Sequence, residues 1–133
     1  MKRTLVFRIL TILYLCAIGV LCFANFSGMT DVPETLFGIP ADKIVHFLMF
    51  LPFPVLVFFS FRLSGTGVVK SLLLIISIFA VGCLFAWGTE YVQGLLPYRD
   101  MDMEDFKADR LGLACGSLIT FFVRLLFIHK ADA

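Results

Sequence analysis

The chain has 133 residues, of which 60% are hydrophobic and 16% charged, with a net charge of +1. Its mean hydropathy is +0.98. A soluble domain of this length has too little interior to bury so many apolar side chains, so the composition excludes an ordinary soluble globular protein. The small net charge and the lack of a basic cluster give no indication of nucleic-acid binding.

The apolar stretches predict an all-α fold, an integral membrane four-helix bundle in a single domain of residues 1–133, with helices at 5–24, 43–62, 68–95 and 105–128. Each stretch approaches the roughly 20 apolar residues that cross a bilayer. The first is longer than the core of a signal peptide and no Ala-x-Ala site follows it, so we interpret it as a retained helix. The connection at 25–41 is rich in Gly and Pro, and Pro33 could begin a short interfacial helix.

The second predicted helix begins with a polar face. Asp42 suits an N-cap, where its carboxylate meets unpaired backbone N–H groups. Lys43 and His46 lie one turn apart on the same face, with His46 about one turn inside the hydrocarbon edge. A histidine here is either packed with its ring hydrogen-bonded or part of a functional site. Pro52 and Pro54 each remove a backbone hydrogen bond, which predicts a kink below His46.

The segment from residue 90 to residue 116 carries most of the remaining polar groups. Glu90 and Gln93 lie one turn apart at the end of the third predicted helix. On the fourth helix one stripe holds two carboxylates and then two glycines, namely Asp105, Asp109, Gly112 and Gly116. Glycines spaced by four allow another helix backbone to approach closely, which would draw the carboxylates toward a partner helix.

The distribution of Lys and Arg predicts the orientation. One side of the predicted membrane holds Lys2, Arg3, Arg8, Arg62, Lys70, Arg124 and Lys130, and the other holds Lys43, Arg99, Lys107 and Arg110. The positive-inside rule therefore places both termini in the cytoplasm. All acidic residues except Asp132 fall on the opposite side. The polar ends of the second, third and fourth helices are thus predicted to meet at one depth on the extracytoplasmic side of the cell membrane.

In order and spacing these residues resemble the VanZ-like family. The resemblance covers about residues 42–116 and is carried by Asp42-Lys43-x-x-His46-Phe47, Glu90-x-x-Gln93, Pro97-x-Arg99, Asp105 and Gly112-x-x-x-Gly116. Two positions depart from the family pattern, with Phe50 in place of the usual Tyr and Asp109 in place of the usual Asn. The resemblance implies a small multi-pass protein of the bacterial cell envelope. The family's namesake is associated with low-level resistance to teicoplanin, a glycopeptide antibiotic.

The chemistry of the residue types predicts candidate roles. Acid–base catalysis suits an imidazole that titrates near neutral pH and desolvated carboxyl groups, which makes the catalytic candidates His46, Glu90 and Asp105. The candidate substrate-binding residues include two cations for a phosphate or carboxylate and are Asp42, Lys43, Gln93, Arg99 and Asp109. Mg²⁺ or Ca²⁺ prefers hard oxygen ligands, so the candidate metal ligands are Asp102, Asp105 and Asp109. We expect Arg99 to pair with at least one carboxylate of this pocket.

Three classes of function remain open. The first is a protein that binds or remodels an anionic lipid or a lipid-linked cell-wall precursor. The second is a membrane enzyme that uses His46 and Glu90 on such a substrate, and the third is a structural subunit or small transporter. An enzyme would lose activity on His46→Ala or Glu90→Gln, whereas a binding protein would lose affinity mainly on Arg99→Ala or Lys43→Ala. A subunit would fail when its lipid-facing or glycine packing surface is changed.

Overall fold

The computed structural model describes residues 2–25, 34–62 and 67–132, the last four of them as backbone only. Its helices are α1 (Lys2–Phe23), α2 (Ala41–Phe50), α3 (Phe53–Phe59), α4 (Val68–Gln93) and α5 (Met103–Asp132). Two short strands, β1 (Thr35–Leu36) and β2 (Ile39–Pro40), precede α2.

Four of the described segments are long and apolar enough to cross a membrane, namely Lys2–Phe23, Ala41–Phe59, Val68–Gln93 and Met103–Ile128. The chain is therefore a multi-pass membrane protein, as its composition predicts. Three helices extend past their predicted bounds, since α1 begins at Lys2, α2 begins at Ala41, and α5 begins at Met103 and ends at Asp132. Long charged side chains can keep their charges in water while the backbone stays helical, so hydropathy alone ends a helix too early.

The predicted kink in the second span is confirmed as a break between α2 and α3. Leu51 and Pro52 separate the two helices. Pro52 and Pro54 have no N–H group with which to continue the helical ladder. The chain still turns as a helix, because Leu51 donates to the carbonyl of Phe47 at 3.1 Å and Leu56 donates to that of Pro52 at 3.0 Å.

A β-hairpin precedes α2. The all-α prediction does not include this hairpin. Strand β1 pairs antiparallel with β2, and the two turn residues have positive φ, 54° at Phe37 and 78° at Gly38. Two consecutive left-handed residues match the twist of a two-residue hairpin turn. Phe37 is fully exposed at its tip. The short helix suggested at Pro33 lies outside the described residues.

Helix α5 packs along α2, α3 and α4, while α1 packs mainly on α3. The backbone of α5 approaches α2 closely at Gly112 and Gly116, as the sequence predicts. A Cβ added at Gly112 would lie 2.3 Å from the carbonyl oxygen of Phe47, and one at Gly116 would lie 2.2 Å from that of Leu51. Only glycine leaves room for the backbone of α2 at this separation.

The packing gives the bundle two chemically different ends. At the acidic end, α2 and α5 begin and α4 ends, and the carboxylates of Asp42, Glu90, Asp102, Asp105 and Asp109 lie there. At the basic end, α1 begins and α3 ends. There the guanidinium of Arg3 lies over the rings of Phe59 and Phe127, at 5.3 and 4.6 Å from their centroids.

Candidate functional site

Three helices bring their polar side chains together around His46 at the acidic end. Its Nδ1 lies 2.9 Å from Oδ1 of Asp109 on α5 and 3.6 Å from Oε1 of Glu90 on α4. Its Nε2 lies 3.5 Å from Oδ2 of Asp105, one turn before Asp109. The sequence predicts that these four side chains and Arg99 converge on one outward-facing pocket, and the structure brings the four together. We call His46, Glu90 and Asp109 the buried cluster.

The buried cluster is closed to the surroundings. Glu90 and Asp109 are 0% exposed and His46 is 6% exposed. One oxygen of Glu90, Oε2, accepts the backbone N–H of Asp102 at 3.2 Å. Within the described part of the chain, Glu90 Oε1 and Asp109 Oδ2 have no hydrogen-bond partner. Buried carboxylates are costly unless they are paired and hydrogen-bonded, so these oxygens require an explanation.

A second group of charges, the lysine cluster, lies next to the first. The Nζ of Lys43 is 2.5 Å from Oδ2 of Asp102, 2.7 Å from Oδ1 of Asp105 and 3.4 Å from Oδ2 of Asp42. An ammonium group has three N–H donors, and three carboxylates use them. The geometry therefore favours a structural role for Lys43, as a bridge between α2 and the start of α5. It disfavours a role in binding a substrate anion.

The lysine cluster also contains the N-cap of α5. Oδ1 of Asp102 accepts the backbone N–H of Glu104 at 2.8 Å, which satisfies one of the unpaired donors of the first turn. The hydrogen bonds from Lys43 and Glu104 lower the pKa of the Asp102 carboxyl. Sequence reasoning placed Asp102 among metal ligands and missed this capping role, although an Asp before an apolar helical stretch is the usual N-cap signal.

The predicted N-cap at Asp42 is wrong. Asp42 is in the first turn of α2, and the residue before that helix is Pro40, which makes no side-chain cap. Helix α2 begins at Ala41, one residue before Asp42, and the N–H of Ala41 donates to the carbonyl of Glu34 at 3.0 Å. Asp42 Oδ1 instead accepts the backbone N–H of Lys43 at 2.9 Å.

The predicted ligand set of Asp102, Asp105 and Asp109 does not form one group. Two compact groups of His and carboxylate ligand atoms occur among the described residues, one of His46, Glu90 and Asp109 and one of Asp42, Asp102 and Asp105. Asp102 precedes α5 and turns to Lys43, whereas Asp109 lies two turns along that helix and faces His46. The helix thus divides the three carboxylates between the two clusters.

Side chains from the end of α4 and the loop after it tie this end of the bundle to α1. Each donates to a carbonyl in or near the last turn of α1, with Gln93 to Cys22 at 3.0 Å, Tyr98 to Phe23 at 2.8 Å and Arg99 to Leu21 at 3.1 Å. These carbonyls have no partner inside their own helix, so the bonds cap α1. Tyr98 is not among the site residues predicted from the sequence, and the expected pairing of Arg99 with a carboxylate stays a prediction.

A groove runs along the outer face of α4 and α5, on the side of α5 that points away from Asp105 and Asp109. It has a volume of about 420 Å³ and is lined by Phe79, Lys107, Arg110, Leu111 and Ala114. Arg110 also lies over the ring of Phe106, 5.5 Å from its centroid. The groove therefore has two cations near the membrane surface and an apolar wall that continues into the hydrocarbon region.

Comparison with known proteins gives one distant relative. No known protein-family profile matches the chain, and no solved structure matches it. A protein of the fission yeast Schizosaccharomyces pombe, described as uncharacterized, is 30% identical over 89 residues, which is 67% of this chain and 52% of that protein. The chain thus spans about half the length of this relative.

Proposed function

We propose that the protein is a VanZ-like membrane protein of the bacterial cell envelope that binds or remodels an anionic, phosphate-bearing lipid at the extracytoplasmic membrane surface. In this proposal both termini lie in the cytoplasm and the acidic end lies outside. The resemblance of residues 42–116 to that family supports the envelope context. It also suggests a link to glycopeptide resistance through lipid-linked cell-wall precursors.

The observation that carries the proposal is a cationic groove on the outer face of α4 and α5, at the membrane depth of the buried cluster. Lys107 and Arg110 lie within two turns of the start of α5, at the depth of Asp105 and Asp109. Phe79, Leu111 and Ala114 continue the groove away from these cations. A lipid whose phosphate contacts Lys107 and Arg110 would lay its hydrocarbon along this wall, with its headgroup at the depth of the two clusters.

Charge also favours this placement of the phosphate. The ammonium of Lys43 already contacts three carboxylates, so a substrate anion there would meet mainly negative charge. The side chains of Lys107 and Glu104 are 63% and 60% exposed, so their ion pair is held only weakly against water. Lys107 can therefore exchange Glu104 for a lipid phosphate at little cost.

Native mass spectrometry of the purified protein with its co-isolated lipids tests the proposal. Wild-type protein is expected to retain phosphate-bearing lipids, and the double variant Lys107→Ala, Arg110→Ala is expected to lose most of them. The matched control is Arg62→Ala, Lys70→Ala, which removes two exposed cations at the basic end. Equal lipid retention by both double variants, or retention of uncharged lipids only, contradicts the proposal.

A second candidate is an enzyme that performs acid–base chemistry on a lipid-linked phosphate. The hydrogen bond between His46 and Asp109 favours it, because a carboxylate that holds one ring nitrogen fixes the orientation of the imidazole. Proton transfer by a positioned side chain typically contributes about 10²–10⁴-fold to a rate. His46→Ala would then remove turnover by this factor while lipid retention in the mass spectrum stays unchanged. Loss of both together would instead indicate a binding role.

A further inference from the structure

The two clusters at the acidic end differ in what lies among their carboxylates. Each provides three ligand atoms within 4.8 Å of one another. In the lysine cluster the Nζ of Lys43 already lies among the three carboxylates, so a metal ion would have to displace a covalently attached cation. In the buried cluster the described contacts include no Lys or Arg, and the imidazole of His46 faces two carboxylates.

The orphan oxygens lie in this second cluster. Glu90 and Asp109 are both fully buried, and Glu90 Oε1 and Asp109 Oδ2 lack a hydrogen-bond partner within the described part of the chain. Oε1 of Glu90 points to the centre of the cluster, 3.6 Å from the ring nitrogen of His46. Even a protonated His46 would leave two carboxylates with one positive charge between them. A dication would neutralise both.

We propose that the buried cluster is a binding site for one divalent transition-metal ion, held by Nδ1 of His46, Oε1 of Glu90 and the carboxylate of Asp109. The inference concerns an ion that the proposed lipid binding does not require, so the two can fail separately. These ligands differ from the three aspartates that the sequence predicts as metal ligands.

The distances suit this assignment. Ligands about 2.1 Å from one ion are separated by roughly 3.0–3.4 Å in octahedral or tetrahedral geometry. Nδ1 of His46 lies 2.9 Å from Oδ1 of Asp109 and 3.6 Å from Oε1 of Glu90, so only small side-chain shifts are needed. One imidazole with two carboxylates fits Mn²⁺, Fe²⁺ or Zn²⁺ better than Mg²⁺ or Ca²⁺, which favour oxygen ligands alone.

The surrounding groups are placed to orient the ligands. With Nδ1 on the metal, Nε2 of His46 carries the proton and faces Oδ2 of Asp105, 3.5 Å away. Asp105 is itself held by Lys43 at 2.7 Å. The second oxygen of Glu90 accepts the N–H of Asp102 at 3.2 Å, which leaves Oε1 for the ion. Carboxylates that accept the far N–H of a ligating histidine are a common support for metal sites.

Mn²⁺ is the probe for the experiment, because its electron paramagnetic resonance signal reports both binding and nitrogen ligation. Full-length protein in detergent is stripped with a chelator, checked by size-exclusion chromatography and titrated with Mn²⁺. We expect about one tightly bound ion per chain, displaced by Zn²⁺, and electron spin-echo modulation from one imidazole nitrogen. Absence of tight binding, or a bound ion without nitrogen coupling, would overturn the proposal without any variant.

Variants then assign the ligands. Glu90→Gln and Asp109→Asn each remove one ligand and are expected to weaken Mn²⁺ binding at least tenfold. Asp105→Asn removes no ligand but alters the partner of Nε2 of His46 and the ion pair with Lys43, and it is expected to weaken binding by about 10–100-fold. The matched control Glu104→Gln changes an exposed carboxylate on the same turn of α5 and should leave the affinity unchanged. Binding that is equally weakened in Glu104→Gln, or unaffected by Glu90→Gln, assigns the ion elsewhere and contradicts the proposal.

Discussion

The two ends of the bundle hold their cations by different means. At the basic end the described partners of the guanidinium groups are neutral, since Arg8 donates to the carbonyl of Ser60 and Arg3 lies over aromatic rings. At the acidic end Lys43 and His46 are surrounded by carboxylates. A cation that contacts only neutral groups keeps its positive charge, whereas the charge of a cation among carboxylates is neutralised by them.

This difference indicates what each end contributes. Retained positive charge next to a membrane sets orientation and attracts anionic headgroups, and it needs no defined geometry. Oppositely charged groups inside a bundle must be held in a defined geometry, because the stability of each buried charge depends on the position of its partner. The acidic end should therefore respond to single substitutions much more strongly than the basic end.

The largest contrast is expected in accessibility across the membrane. In a background without the native cysteines, Asp100→Cys should react with a membrane-impermeant thiol reagent added outside intact cells, and Arg62→Cys should not. Both residues are exposed, so burial does not separate them. The reverse labelling pattern would invert the orientation that we propose from the positive-inside rule.

Removal of a buried polar side chain should cost more than removal of an exposed one. In chelator-treated protein, His46→Ala leaves the buried carboxyl groups of Glu90 and Asp109 without the imidazole and should destabilise by about 3 kcal/mol. Arg8→Ala removes one hydrogen bond at an exposed site and should cost about 1 kcal/mol. Unfolding in detergent measures both values, and equal losses would show that the two ends are held alike.

Close packing near the acidic end gives the next effect. Gly112→Ala places a Cβ against the backbone of α2, which can move only as a whole, so we expect a loss of about 1–3 kcal/mol. Gly88→Ala is the matched control, because an added Cβ there meets nothing within 4 Å. It should be neutral or slightly stabilising. An unchanged melting temperature for Gly112→Ala would contradict the tight contact.

The lysine cluster should respond more weakly because it is partly open to solvent. Lys43→Met removes a cation from three carboxylates, with its side chain 22% exposed, and should cost about 1 kcal/mol. Lys107→Met breaks an exposed ion pair with Glu104 and should cost only a few tenths of about 1 kcal/mol. High salt should reduce the difference between the two variants, as measured by urea unfolding.

The smallest effect concerns acid stability at the N-cap of α5. The lowered pKa of Asp102 means that its carboxylate stabilises the fold above its unfolded pKa, and that this contribution is lost as the pH falls through the folded pKa. Wild-type protein should therefore lose part of its stability below about pH 4, in the range of an ordinary Asp. Asp102→Asn should lack this part, whereas Asp100→Asn should keep it. Melting temperatures between neutral and acidic pH provide the test.

The spans and their contacts could be predicted because lipid leaves few alternatives. Hydropathy located four helices, proline chemistry located the break at Leu51 and Pro52, and small-residue spacing located the contact at Gly112 and Gly116. The hairpin could not be predicted, because its turn places Phe37 in a left-handed conformation that L residues rarely adopt. No Asn-Gly or Gly-Gly signal marks it in the sequence.

Within the site, membrane depth predicted which side chains meet, and loop geometry decided how they pair. His46, Glu90 and Asp109 meet because each occupies a helix end at one depth. Lys43 rather than Arg99 bridges Asp102 and Asp105, because the loop after α4 carries the guanidinium to the carbonyl of Leu21. Sequence periodicity describes helices well and says little about the direction of an irregular loop.

The contact at Gly112 fixes the longitudinal position of α5. Gly112 meets the carbonyl of Phe47, and these residues are near neighbours in sequence of Asp109 and His46. A slip of α5 by one residue would shift Asp109 by about 1.5 Å and rotate it by roughly 100°. The close contact at this glycine thus sets the position of the Asp109 carboxylate relative to the His46 imidazole. Directed evolution of the polar side chains at this site would therefore have to keep Gly112.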